Sequence, residues 1–163
     1  MKTFRNLMNE VISYQTGSKK AGADMMPTEQ SLVTSTKPID PKKMGYKDIG
    51  RTSSGHDIYH TSHGVHKHGS RKGLRDNDYW FHNPKTGHVD LAIRTGSRRH
   101  KNGTETHDVE SLMSREGSKL KAHHAYAHLI RHHGMHITTQ AQTLGSQAVW
   151  RRLGKMKGIG IHG

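Results

Sequence analysis

The chain has no cysteine. That excludes disulfides, thiolate metal sites and a cysteine nucleophile, and it fits a reducing compartment. Apolar residues are scarce: they make up 30% of 163 positions, against roughly 45–50% in an average globular chain, a figure that also counts glycine. The expected core is therefore small, with part of the chain outside it. No apolar run approaches the ~20 residues of a membrane span. Residues 1–14 lack both an unbroken apolar centre and a small-residue cleavage site, so no signal peptide is expected. Acidic residues are also few. Against 26 Lys and Arg stand 13 Asp and Glu, a net charge of +13 with all 16 histidines neutral. That imbalance implies a polyanionic partner, either nucleic acid, a phosphorylated cofactor or an acidic protein surface. The plainer alternative is charge that serves solubility alone.

What is present is organised around the last third of the chain. Residues 109–113 (VESLM) alternate as a strand does. Ser114 stands where a helix N-cap belongs, and Gly117 permits a tight turn. From Ser118 the period lengthens. Ala122, Ala125, Tyr126, Leu129, Ile130 and His133 share one stripe, which predicts an amphipathic helix ended by Gly134. Residues 135–139 (MHITT) read as a short strand, residues 140–145 as a loop, residues 146–153 as a second helix, and residues 159–162 as a weak last strand.

The helix AHHAYAHLIRHHG, the strand HITT and the segment QTLGSQAVWRRLG resemble the C-terminal half of a GNAT N-acetyltransferase domain, in the small form that bacteriophages encode. The resemblance covers the last third of the chain and, more weakly, the third before it. It implies an α+β fold: a mostly antiparallel sheet with two C-terminal helices. It also implies acetyl-CoA as cofactor, an amine as acceptor, and a phage protein of the host cytoplasm or the virion. The loop at 114–121 would then hold the coenzyme A diphosphate, near Arg115, Gly117, Ser118 and Lys119. Backbone amides at a helix N-terminus suit that task. The chain departs from the family in two places. Arg115 and Gly117 stand one residue apart rather than two, with Lys119 where a second small residue belongs. Trp150 occupies the place of the family's tyrosine acid, and an indole N–H only donates. By position, Glu110 and His107 are the candidate bases for the amine proton.

Upstream, Phe4, Leu7, Met8, Val11 and Ile12 predict a short helix, which either packs on the domain or docks on a partner. Residues 17–43 read as a flexible linker too polar to offset its ordering entropy. The boundaries expected are a helix and tail over 1–44 and an α+β domain over 45–163, with the tail a possible dock for a phage structural or host protein. A strand is expected near 56–61, then a basic loop to Arg75. Residues 78–82 and 88–95 form a hairpin about an Asn-Pro turn, residues 96–104 a basic turn, and residues 106–113 the third antiparallel strand.

The alternative function is a basic, non-enzymatic virion or host-takeover protein that binds nucleic acid or another phage protein. Its phosphate contacts would come from Arg71, Lys72, Arg98, Arg99, Lys101, Arg151 and Arg152, together with Arg75, Arg94, Lys155 and Lys157. Tyr79, Trp80 and Phe81 are candidates for base stacking or, more simply, for core. Histidines 60, 63, 66 and 68 form no known ligand pattern. His124, His128 and His132, at i, i+4 and i+8, read as a polar helix face whose charge rises below about pH 7. No metal is expected.

Overall fold

The computed structural model describes residues 28–138 and 144–160. The expected helix near the N-terminus lies outside them. In chain order the elements are α1 (Glu29–Thr34), a 3-10 turn (Pro41–Met44), β1 (Lys47–Arg51), β2 (Asp57–Val65), β3 (Arg75–Asn83), β4 (His88–Arg99), β5 (Glu105–Ser114), α2 (Ala122–His133), β6 (His136–Thr138) and α3 (Leu144–Gly154). The fold is α+β. All six strands lie in one sheet in sequence order. Short connections make β1 to β5 an antiparallel meander. The connection from β5 to β6 carries a whole helix, and that pair is parallel, as a crossover of this length allows. No helix among the described residues is long and apolar enough to cross a membrane.

Alternation along the strands gives the sheet two apolar faces. On one, Ile58, Tyr79, Phe81, Leu91 and Ile93 pack against Leu120, Ala125, Tyr126, Leu129 and Leu153. On the other, Tyr59, Trp80, Val89 and Ala92 pack against Leu32, Val33 and Tyr46. The Tyr46 ring stacks on Trp80, with centroids 3.8 Å apart and planes 24° apart. Trp80 is 1% exposed. An aromatic ring covered this fully removes about 150–250 Å² from water, which stabilises by about 4–6 kcal/mol as an upper estimate.

Two bulges redirect acidic residues. Phe81 pairs with Leu91 and His82 with Val89, which leaves Asp90 unmatched. Arg94 pairs with Ser111 and Thr95 with Val109, which leaves Glu110 unmatched. Bulges re-aim a side chain in this way, and both carboxylates make ionic contacts described below.

Several expectations are corrected. The segment read as a flexible linker is, over its described part, packed on the sheet. Thr28 caps α1 by accepting from the Ser31 amide at 3.1 Å, and Leu32 and Val33 are buried. β1 was not expected at all. β2 continues to Val65, four residues beyond the expected strand, and β4 runs through Arg99, so the basic turn shrinks to 100–104. Ser114 ends β5 rather than capping α2, whose cap position is Lys121. Gly134 ends α2 in the left-handed region as expected, with φ 61°. α3 starts at Leu144, ahead of the expected position. Ile159 and Gly160 are not in a strand, and the rest of that expected element lies outside the described residues.

Candidate functional site

The site is built where β5 leaves its parallel partner. Thr106 pairs with His136, His107 with Ile137 and Asp108 with Thr138. Beyond that point β5 runs on from Val109 to Ser114 with no strand on that edge among the described residues. The loop 114–121 follows directly and lines a cavity of about 620 Å³ together with Ala122. At Gly117 φ is 78°, and a Cβ there would meet nothing within 4 Å, so the backbone faces open space.

Some loop amides are already used. The Arg115 amide donates to the Asp90 carbonyl at 2.7 Å and the Ser118 amide to the Arg115 carbonyl at 3.1 Å. The Leu120 amide donates to Ser118 Oγ at 3.1 Å. Lys121 supplies no side-chain cap to α2. The Ala122 and His123 amides consequently find no partner among the described residues. With the exposed Lys119 and Lys121 beside it, Ala122 forms the part of this cavity that can receive an anion, with His123 next along the helix and the exposed Glu116 as the one carboxylate of the lining.

Arg115 is directed elsewhere. Its guanidinium donates to the carbonyls of Val89, Ser35 and Leu32 at 3.1, 2.9 and 3.0 Å, and Nε lies 3.4 Å from Asp90. Asp90 in turn meets His56 Nε2 at 2.7 Å. Arg115 thus ties α1 to β4, with its side chain 18% exposed. A diphosphate at this loop would be met by Lys119, Lys121 and the first amides of α2, with Gly117 giving room for approach and Ser118 holding the loop's shape.

The two candidate bases stand on opposite faces of the sheet. His107 is buried under α2, its ring edge toward Tyr79 with centroids 6.4 Å apart. Its Nδ1 contacts Thr95 Oγ1 at 3.1 Å and its Nε2 contacts Glu105 Oε1 at 3.2 Å. Burial lowers its pKa, and Glu105 opposes that shift only in part. The ring is therefore neutral at pH 7, but both nitrogens are occupied. Glu105, two residues earlier on the same face, opens with His107, His133 and His136 onto a cavity of about 560 Å³. Sequence reasoning missed it, although E-x-H on a strand places both side chains on one face. Glu110 lies across the sheet, against Gly96 and at 2.5 Å from Arg71 Nη1.

The basic residues fall into two groups. Arg98 Nη2 donates to the Lys72 carbonyl at 3.3 Å, which brings the loop 66–74 and the β4–β5 turn together. In that group Lys72, Arg98 and Lys101 are exposed. Arg71 is held by Asp76 and Glu110, and Arg99 lies 3.5 Å from Glu105. Arg94 belongs to neither group, because Asp78 and Glu29 hold it at 2.9 and 3.1 Å. Arg151 and Arg152 stand on α3, exposed; burial first, then His124 and Arg152, lower the pKa of His123. Base stacking by Tyr79, Trp80 and Phe81 is corrected: all three are buried.

On α2, the His128 ring lies 4.4 Å from His132 and 5.8 Å from His133. Burial first, and then these neighbours, lower the pKa of His128 and His133. No group of three or more His, Asp or Glu among the described residues is arranged to hold a metal ion. No protein-family model matches the chain, and comparison with curated proteins finds no significant relative.

Proposed function

We propose that residues 45–160 form a GNAT-like domain that binds acyl-coenzyme A, with the diphosphate at Lys119, Lys121 and the amides of Ala122 and His123. One observation carries this reading: β6 pairs with β5 only over 106–108, and the freed edge of β5 leads straight into an anion-competent helix start. Such an edge offers backbone donors and acceptors to an extended pantetheine arm. The cofactor, when bound, supplies an acyl thioester, and the chain's own contribution to transfer would be to accept a proton from an amine. Glu105, oriented by neutral His107 and with Arg99 only at 3.5 Å, suits that role better than Glu110, which lies 2.5 Å from Arg71.

A general acid for the leaving thiolate is harder to find. Tyr126 stacks on Trp150 at 5.6 Å and 14°, and burial raises its pKa. A phenol so placed gives up its proton reluctantly. This favours a domain that binds acyl-CoA and transfers slowly, or one that has kept only the binding.

Calorimetric titration with acetyl-CoA tests the reading. We expect saturable binding that weakens about tenfold for each of Lys119→Glu and Lys121→Glu, equivalent to about 1.4 kcal/mol. No heat at millimolar acetyl-CoA would remove the proposal.

A further inference from the structure

A third cavity, of about 490 Å³, lies between α2 and the β1–β2 turn. Its walls bring cations from three separate elements: Arg51 of β1, Lys119 of the loop and Arg131 of α2. The β1–β2 turn adds the hydroxyls of Thr52, Ser53 and Ser54. From α2 come His124, His128, His132 and His133, and no carboxylate lines the groove. The nearest acids are already used. Asp57 meets Arg51 Nε at 2.8 Å, and Asp48 accepts from the Gly50 amide at 2.9 Å. Glu105 shares the neighbouring cavity with His133, where it meets His107 and Arg99; the other charges around these histidines are positive or become so in acid. His60 of β2 acts on His133, and Arg131 is held over the groove by donating to the Lys157 carbonyl.

We propose that this groove binds the phosphates of a nucleic-acid strand, and that it binds them more tightly in mild acid than at neutral pH. No carboxylate lines it, and its cations include two guanidinium groups suited to phosphate oxygens, Arg51 (also paired with Asp57) and Arg131. A second basic group, at the loop 66–74 and the β4–β5 turn, stands at the other end of β2 from the β1–β2 turn, a separation that a long, regularly charged polymer can span and a short acidic peptide cannot. The acid response is expected from His128 and His133. Burial first, and then repulsion from the neighbouring histidines, hold both below the ordinary histidine range. A phosphodiester keeps its charge through the histidine range and offsets that repulsion, so the histidines take up protons as it binds.

Fluorescence anisotropy of the full chain with labelled oligothymidylate of about 20 nucleotides tests this at about pH 7.5 and about pH 5.5, at one salt concentration. We expect affinity to rise about tenfold or more in acid. The variant His128→Gln/His132→Gln/His133→Gln should lose that gain and keep its neutral-pH affinity. Should this variant fail to fold, Arg131→Gln and Lys119→Gln singly should weaken binding about threefold or more at both pH values. Lys72→Gln/Arg98→Gln should leave the acid gain intact. An acid gain absent from the parent chain, or retained by the histidine variant, would overturn the proposal. An equal gain with polyaspartate would overturn the choice of nucleic acid. Displacement of the strand by equimolar coenzyme A would assign the groove to the cofactor instead.

Discussion

The two faces of the sheet are covered by unequal means. On one, a helix of six residues and Tyr46 seal Trp80 completely. On the other, α2 has twelve residues and still leaves two cavities, each bordered by histidines and by His133 in particular. The difference lies in what each cover can contribute. α1 brings Leu32 and Val33 and is clamped by Arg115. α2 buries Ala125, Tyr126, Ala127 and Leu129 but turns five histidines to its other sides. With so few apolar residues, the chain closes one face tightly and holds the other partly open. The tight side uses the one arginine that the loop would otherwise offer to a phosphate. Arg115 cannot both clamp α1 and hold a ligand, and the loop is left with Lys119 and Lys121.

The largest test of this contrast is Trp80→Ala, which should cost about 3–5 kcal/mol in urea unfolding. A loss under about 1 kcal/mol would show the first face is not the sealed one. Next is Arg115→Ala. It removes donors from three backbone carbonyls and should cost about 3 kcal/mol, while acetyl-CoA affinity stays within about threefold, or about 0.6 kcal/mol. A large loss of affinity with unchanged stability would reverse the roles given to Arg115 and Lys119.

A smaller effect is expected from pH. Burial holds the pKa of His107, His123, His128 and His133 below the usual histidine value. The folded state then binds fewer protons than the unfolded state. Stability is fully present above about pH 6.5, and it falls as pH drops through that value toward the lowered ones. A thermal melt series from about pH 8 to about pH 5 should show Tm falling on the acid side, with a shallower slope in His128→Gln. A Tm that rises in acid would contradict the assignment of neutral, crowded imidazoles. The smallest effect belongs to Arg71→Ala. That partly exposed pair with Glu110 should contribute only about 0.2–1 kcal/mol.

What could be read in the sequence was local. The β3–β4 hairpin shows in its alternation and its Asn-Pro turn, and α2 in its 3.6-residue stripe closed by Gly134. β1 shows no such pattern, since Lys47–Arg51 has a single apolar residue and takes its register from β2. α1 was hidden for a related reason. Its surroundings are polar, and its burial depends on Trp80 and Arg115, which are far away in sequence. The site was legible in part. A glycine turn among basic residues marked the loop, but nothing near Arg115 shows that its partners would be carbonyls of residues 32, 35 and 89. The pairing of His107 with Glu105 stood in an i, i+2 spacing that sheet geometry makes meaningful. Alternation alone sets Glu110 opposite His107; the bulge, which has no local signature, shifts the phase beyond it, so that Leu112 joins Val109 on the same face.

The most direct test of the acyl-CoA site is residue-resolved. In amide correlation spectra of the labelled full chain, acetyl-CoA should move the signals of Gly117, Lys119, Lys121, Ala122 and His123 and those along Val109 to Ser114. The signals of Lys72, Arg98 and Lys101 should stay in place. Shifts confined to the loop 66–74 and the β4–β5 turn, with the start of α2 unmoved, would contradict the account.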